Sequence, residues 1–335
     1  MSQANGASID LGGVVLADPE LAAAILRGLD RVELLLHDEL RSDLEFLTQA
    51  SLHLVDAGGK RFRPLFTLLA AQFGKGDSDD VVRAAAVVEL VHLATLYHDD
   101  VMDEATMRRG AVSANARWDN TVAILTGDYL FANASRLVAD LGPDAVRIIA
   151  RTFESLVGGQ MREALGPEGV GDPVDHYLRV VAGKTGSLIA TAGRFGGMFS
   201  GLSDEQVEAL SRYGELIGMA FQISDDVIDI ASPAHESGKT PGTDLREGVR
   251  TLPMLYALVD EPSGRLAELL SGPITTDHLV DEALLLLRAS AGVDRARLTV
   301  SEFADQATAE LAVLPDAPAA DALRSLTQFL IERTR

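Results

Sequence analysis

Apolar side chains recur every three to four residues along most of this chain, the spacing of one face of an α-helix. From Asp18 to Thr48 the pattern predicts a helix, with Pro19 where a first turn tolerates proline. The string Ala57-Gly58-Gly59-Lys60-Arg61-Phe62-Arg63-Pro64 interrupts it, and Pro64 opens an apolar helix reaching Phe73. Asp79 to Glu104 contains neither proline nor glycine and carries a long apolar face, so it reads as one helix of about 25 residues ending in an acidic string. Further helices are predicted over 119–140, 143–163, 173–195 and 203–230. Between 231 and 251, Pro233, Gly238, Pro241, Gly242 and Gly248 crowd together, which predicts a loop directly after a second acidic string and makes it a candidate lid. From Leu252 to Ile331, shorter helical segments are broken by Pro262, Pro273 and Pro315. Neither a repeat nor a linker divides the chain, so the expected architecture is one all-α domain over 18–335, preceded by a flexible segment at 1–17.

Composition supports that picture and narrows the function. With 335 residues, 47% of them hydrophobic but only 5% aromatic, the chain can fill a sizeable core and favours packed helices over sheets. A formal net charge of −21 argues against a nucleic-acid partner, because an acidic surface repels phosphate backbones, and any phosphate substrate needs a local cluster of cations. There is no cysteine, which excludes disulfides, thiolate catalysis and Cys-bound metal sites. The opening residues lack the basic start and apolar run of a signal peptide, and no apolar stretch reaches about 18 residues without charge. The expectation is a cytoplasmic protein without a transmembrane segment, with peripheral membrane contact left open.

The two acidic strings carry the chemistry. In Asp99-Asp100-Val101-Met102-Asp103, helical spacing of three and four crowds the carboxylates onto one side, which is unfavourable without a cation, and Asp225-Asp226-Val227-Ile228-Asp229 repeats the arrangement. Hard divalent ions take oxygen ligands, and magnesium uses one or two carboxylates together with substrate phosphates. A solvated acidic face is the plain alternative for either string alone. Two basic clusters complement them: Lys60, Arg61 and Arg63 before Pro64, and Arg108-Arg109-Gly110 just past the first acidic string. Arginine grips phosphate oxygens as a fork and lysine as a point charge, so these clusters could hold a diphosphate, although ordinary surface loops also carry such residues. His92 lies about two turns before Asp99 on a similar face, either as part of the site or as a packed core histidine.

Taken in order, these strings resemble the trans-isoprenyl diphosphate synthase family, also called polyprenyl synthetases. The carrying residues are Gly58-Gly59-Lys60-Arg61-Phe62-Arg63-Pro64, Glu89-Leu90-Val91-His92, His98 through Glu104 and Arg108-Arg109-Gly110. Gly127-Asp128-Tyr129-Leu130, Gly159-Gln160, Lys184-Thr185-Gly186, Phe221 through Asp226, Gly238-Lys239 and Asp244-Leu245 continue the match. The resemblance implies an all-α helical bundle around a deep central cavity, a homodimer, and prenyl transfer from an allylic diphosphate to isopentenyl diphosphate. It implies magnesium as cofactor, three ions with substrate bound, on Asp99, Asp100, Asp103, Asp225, Asp226 and Asp229. Gly59, Lys60, Arg63, His92 and Arg109 would hold isopentenyl diphosphate. Arg108, Lys184, Thr185, Gln222 and Lys239 would hold the allylic diphosphate, and Asp99, Asp103, Asp225, Lys184 and Lys239 would be catalytic.

In that family the growing tail descends beside the helix carrying the first acidic string, so the resemblance implies that product length is set by the residues preceding that string. Ala94 and Thr95 are small, Val91 continues the same side, and no aromatic blocks the way as it does in short-chain members of that family. The expected product is therefore a long all-trans chain of about six to ten isoprene units, of the kind that precedes a quinone side chain, with a geranylgeranyl-length product as alternative. A different class is also open: a non-catalytic regulatory subunit of a heteromeric synthase, although such subunits usually have degraded acidic strings and both are intact here.

Overall fold

In a computed structural model, which describes residues 8–76, 78–167, 171–231 and 241–334, the chain is helical with two small hairpins. The helices are α1 (Pro19–Glu39), α2 (Glu45–Asp56), α3 (Phe62–Ala71), α4 (Asp79–Met102), α5 (Ala114–Arg117), α6 (Asn120–Ala139), α7 (Pro143–Leu165) and α8 (Pro173–Val181). They continue with α9 (Ser187–Ser200), α10 (Asp204–Ala231), α11 (Thr243–Glu247), α12 (Leu252–Asp260), α13 (Arg265–Leu269), α14 (Asp277–Ala289), α15 (Gly292–Glu310) and α16 (Pro318–Glu332). The strands β1 (Ile9–Asp10) and β2 (Val15–Leu16) pair antiparallel, as do β3 (Met107–Arg108) and β4 (Ala111–Val112).

The helices start where the local chemistry says they should. Asp18 caps α1 by accepting from Leu21 N at 2.7 Å, with Pro19 just inside. Ser78 caps α4 in the same way, and Asp79 and Asp80 complement the positive end of its dipole. Two predictions need correction. The helix expected from Asp18 to Thr48 breaks at Leu40, because Ser42 and Thr48 offer their hydroxyls to the freed backbone N–H groups of Leu44 and Ser42. The run predicted as one helix over 173–195 is interrupted by a π-turn, Ala182–Gly186, and then extends to Ser200. Within the described residues 8–17 lies the β1–β2 hairpin, which buries Val14 and Leu16.

The contacts group the chain into two compact units, interleaved along the sequence so that no single cut separates them. The first comprises Met1–Glu154, Leu188–Arg212 and Val313–Leu323. Its core is α4, packed most extensively on α6 and also on α3 and α1. Burial on almost every side makes α4 apolar all round. By length and composition α4 could cross a membrane, but 72% of its most apolar window is buried inside the protein, as befits a core helix. The second unit comprises Ser155–Ser187, Tyr213–Ala312 and Arg324–Arg335. There α10 buries Tyr213, Ile217, Ala220, Ile223, Val227 and Ile230, a helical stripe that fixes the orientation of the second acidic string.

Candidate active site

In the first unit a buried carboxylate organises two strained loops. Glu89 lies on α4, only 1% exposed, and its Oε1 accepts from Arg61 at 3.1 Å and lies 3.6 Å from Arg109. Both arginines have left-handed backbones, at φ 47° and 54°. Such conformations cost an L-residue energy and persist where surrounding contacts over-determine them. Arg109 and Gly110 form the two-residue turn of the β3–β4 hairpin, both at positive φ, the signature of primed hairpin turns. The turn aims the Arg109 guanidinium at the carbonyls of Leu54 (3.0 Å) and Gly58 (2.5 Å). Gly59 sits at φ 136°, and a Cβ there would meet Arg109 Cζ at 2.8 Å, so a glycine is required. Arg61 is consumed by structure, gripping Glu33, Glu89 and the carbonyls of Val55 and Gly58.

Beside this clamp lie Arg63, His92 and Lys60. Arg63 has its Nε buried without a partner. Burial, only partly offset by Glu89, pushes its guanidinium down to about 10. His92 is held well below its ordinary value, first by burial and then by Arg63, Arg109, Arg61 and Arg108, so it is neutral near pH 7. Lys60 is exposed at the same loop. Four arginines thus bear on one neutral histidine, and three of them, Arg61, Arg63 and Arg109, also on the buried Glu89, a local cationic excess in a chain of net charge −21.

The first acidic string is split by burial. Asp99 is half-buried and Asp103 exposed, four apart on the accessible side of α4, whereas Asp100 is fully buried and accepts from Arg108 Nε at 2.6 Å. The expected crowding of all three carboxylates on one side therefore does not hold, because Asp100 is turned some 100° from Asp99 around the helix axis, toward the core. Burial raises the Asp100 carboxyl, opposed by Arg108, and its Oδ2 has no partner. Asn115 fastens the loop beyond, donating to the carbonyls of Asp100 and Ala105 at 3.0 Å each. Among the chain-length candidates, Val91 and Ala94 are packed in the core, while Thr95 is half-buried on the side shared by His92 and Asp99.

In the second unit the same division recurs. Asp226 is buried, accepting from the Tyr177 hydroxyl and, at 3.1 Å, from Gln222 Nε2. Burial pushes its carboxyl up to about 7 against those hydrogen bonds. Gln222 Oε1 in turn accepts from Thr185 Oγ1 at 3.4 Å, which draws two of the predicted allylic-diphosphate contacts together. Asp229 accepts from the backbone N–H groups of Thr243 and Asp244 at 3.3 Å, where α11 begins. Asp225 is half-buried and paired with Arg333 at 2.5 Å. Lys184 lies in the π-turn and pairs with Glu163 at 2.5 Å. The turn lies so close to α7 that a Cβ on Gly159 would meet Lys184 N at 2.6 Å. Lys239, with Gly238 and the rest of 232–240 in the expected lid, lies outside the described residues.

The model of the polyprenyl synthetase family matches residues 44–286, which contain both acidic strings and both basic clusters. The chain belongs to the polyprenyl synthetase family. A nonaprenyl diphosphate synthase of Mycobacterium tuberculosis is 59% identical over 326 residues, 96% of this chain and 97% of that one. A dimethylallyltranstransferase of the same organism is 47% identical over 95% of this chain and 98% of its own. Among solved structures, a geranylgeranyl pyrophosphate synthase of Corynebacterium glutamicum, complexed with calcium and isoprenyl diphosphate, superposes with a TM-score of 0.86 at 51% identity, covering 95% of this chain and 99% of that one.

The synthase's acidic residues fit a hard divalent ion. The accessible carboxylates, Asp99 with Asp103 and Asp225 with Asp229, are oxygen donors four apart on their helices. Among the described residues no three His, Asp or Glu side chains converge on one point. Each pair would thus hold such an ion together with phosphate oxygens or water, which is magnesium's habit rather than zinc's. Sequence reasoning gave no role to Glu89, Tyr177, Glu163 or Arg333. Glu89 alone was signalled, as a lone charge in the apolar run Val87-Val88-Glu89-Leu90-Val91.

Proposed function

We propose that this polyprenyl synthetase extends an allylic diphosphate with isopentenyl diphosphate to a long all-trans product, of about six to ten isoprene units. The observation that carries the reading is the separation of chemistries: a cationic cluster beside Glu89 without a metal-type donor set, and acidic strings whose accessible carboxylates suit magnesium. Arg63, Arg109 and Lys60 would neutralise the diphosphate of isopentenyl diphosphate, and neutral His92 would donate one hydrogen bond without adding charge. Lys184, Thr185, Gln222 and Arg108 would grip the allylic diphosphate, with Lys239 as a further contact. Bound to the accessible carboxylates and the diphosphate, magnesium supplies Lewis-acid stabilisation of the leaving group. The allylic carbon–oxygen bond breaks, the isopentenyl double bond attacks the resulting carbocation, and a proton passes to the released diphosphate, so no side-chain base is required.

Long product length is supported by the nonaprenyl relative and by the absence of an aromatic at Thr95. The geranylgeranyl synthase from Corynebacterium supports the shorter alternative. A homodimer is supported by α7, where Phe153, Val157, Met161 and Leu165 recur every four residues and are each at least 38% exposed, an apolar stripe that water disfavours. Sedimentation of the purified chain measures it, and a monomer at micromolar concentration would contradict it.

Replacing the accessible carboxylates tests the reaction. Asp99→Ala and Asp225→Ala are each expected to lower turnover by about a hundred-fold or more. Near-normal incorporation of isopentenyl diphosphate by either variant would refute the assignment.

A further inference from the structure

Each acidic string has an arginine on one of its carboxylates, but the two arginines do different things. Arg108 holds Asp100, which is buried and turned away from the accessible pair Asp99 and Asp103. Arg333 holds Asp225, which is 39% exposed and one of the two carboxylates on the accessible side of α10. Arg108 therefore leaves its string's accessible carboxylates untouched, whereas Arg333 occupies one oxygen, Oδ1, of a carboxylate that a divalent ion would take.

Arg333 is not a side chain that has wandered onto the nearest acid. Its backbone N–H closes the last turn after α16 on Phe329 O at 3.0 Å, and the next residue is tied down, with Thr334 O accepting from Arg297 Nε at 2.6 Å. Its guanidinium lies over the Phe221 ring, 4.8 Å from the centroid, with Phe329 at 5.7 Å, and only 18% of the side chain is exposed. Nη2 donates to Asp225 Oδ1, while Nη1 is buried without a partner. A buried cation satisfied at one amine and not at the other is poised rather than locked.

We propose that Arg333 is the resident cation of the second acidic string. It neutralises Asp225 in the metal-free enzyme, competes with magnesium for that carboxylate, and is released from it when the metal–diphosphate complex arrives. The inference rests on the reading of Asp225 as a metal ligand and adds a residue that opposes it. Without a counter-cation, Asp225, Asp226 and Asp229 would repel one another within four residues of helix. Arg333 relieves that repulsion while leaving Asp225 Oδ2 open. The consequence is weak metal binding in the absence of substrate, since the ion must displace a partner that diphosphate would then engage.

Manganese, followed by electron paramagnetic resonance in the absence of substrate, is the probe. The Asp225-dependent part of its binding, defined by the difference between the wild type and Asp225→Asn, is expected to tighten about three- to ten-fold in Arg333→Gln and to stay near the wild-type value in Arg333→Lys. If Asp225→Asn weakens manganese binding but Arg333→Gln leaves it unchanged or weaker, the competition is overturned while the metal reading stands. If Asp225→Asn has no effect, the metal reading itself has failed. A second readout uses the wild type: hydrogen exchange of the amides at 329–334 is expected to speed up when magnesium and inorganic pyrophosphate are added together. Unchanged exchange would overturn release of Arg333, whatever the manganese titration gives.

Discussion

Glu89 is the residue whose loss should reveal most about how the cationic cluster is built. It touches Arg61 and Arg109, whose left-handed backbones shape the two loops of the cluster, so neutralising it removes the shared anchor from both. Glu89→Gln is expected to raise KM for isopentenyl diphosphate at least about ten-fold while leaving KM for the allylic diphosphate within about two-fold, because leaving a buried charge without its partner costs several kcal/mol. Steady-state kinetics with each substrate varied in turn checks it, and equal shifts in both constants would reduce Glu89 to a general stabilising residue. His92 gives a second test at this scale. Its folded value lies well below the usual 6.5, so below about pH 6.5 the unfolded chain binds a proton that the fold does not, and stability falls with pH. The contribution is about 1.4 kcal/mol per pH unit below that point, down to the folded value. Denaturant melts at pH 7 and pH 5.5 should show a smaller acid loss for His92→Gln than for the wild type, and identical losses would mean that folding leaves the protonation of His92 unshifted. At this scale the sequence was only half legible. The basic residues could be picked out as clusters, but their partners come from remote segments such as Glu33 and Glu89, which no local spacing reveals.

At the scale of elements, α4 carries the acidic string, the buried anchor and the chain-length candidates on different sides of one helix. Its accessible side presents His92, Thr95 and Asp99 at helical spacing, while Val91 and Ala94 are packed inward. Thr95→Phe is accordingly expected to shorten the product by several isoprene units in a chromatographic assay. Ala94→Phe should instead lower stability, by about 1–3 kcal/mol, because it forces an aromatic into a filled core. Shortening by Ala94→Phe with an unchanged melting temperature would contradict this division. The long helices were legible because a 3.6-residue period survives over many turns and Pro19 marked the start of the first, while the caps Asp18 and Ser78 emerged only from the structure. The π-turn around Lys184 was not, since an inserted backbone bond leaves the apolar pattern almost unchanged. The hairpin carrying Arg108 was missed for a different reason: strands of two residues are too short to display an alternation.

At the scale of the whole molecule, the chain combines strong overall acidity with a small cationic cluster, so its affinity for diphosphates is a local property set against an unfavourable global field. The family was legible because the order of motifs spans most of the chain, and the match over residues 44–286 accords with that. The grouping of contacts into two interleaved units was not, because both units draw on separated segments and no change in composition marks their borders. Repeated prenyl transfer by this chain alone is the activity that most needs measuring. It is tested most directly by incubating the purified chain alone with radiolabelled isopentenyl diphosphate, a farnesyl diphosphate starter and magnesium, then separating the products by length. A dominant product of about six to ten isoprene units is expected; no incorporation until a second polypeptide is added would show that the chain does not act alone.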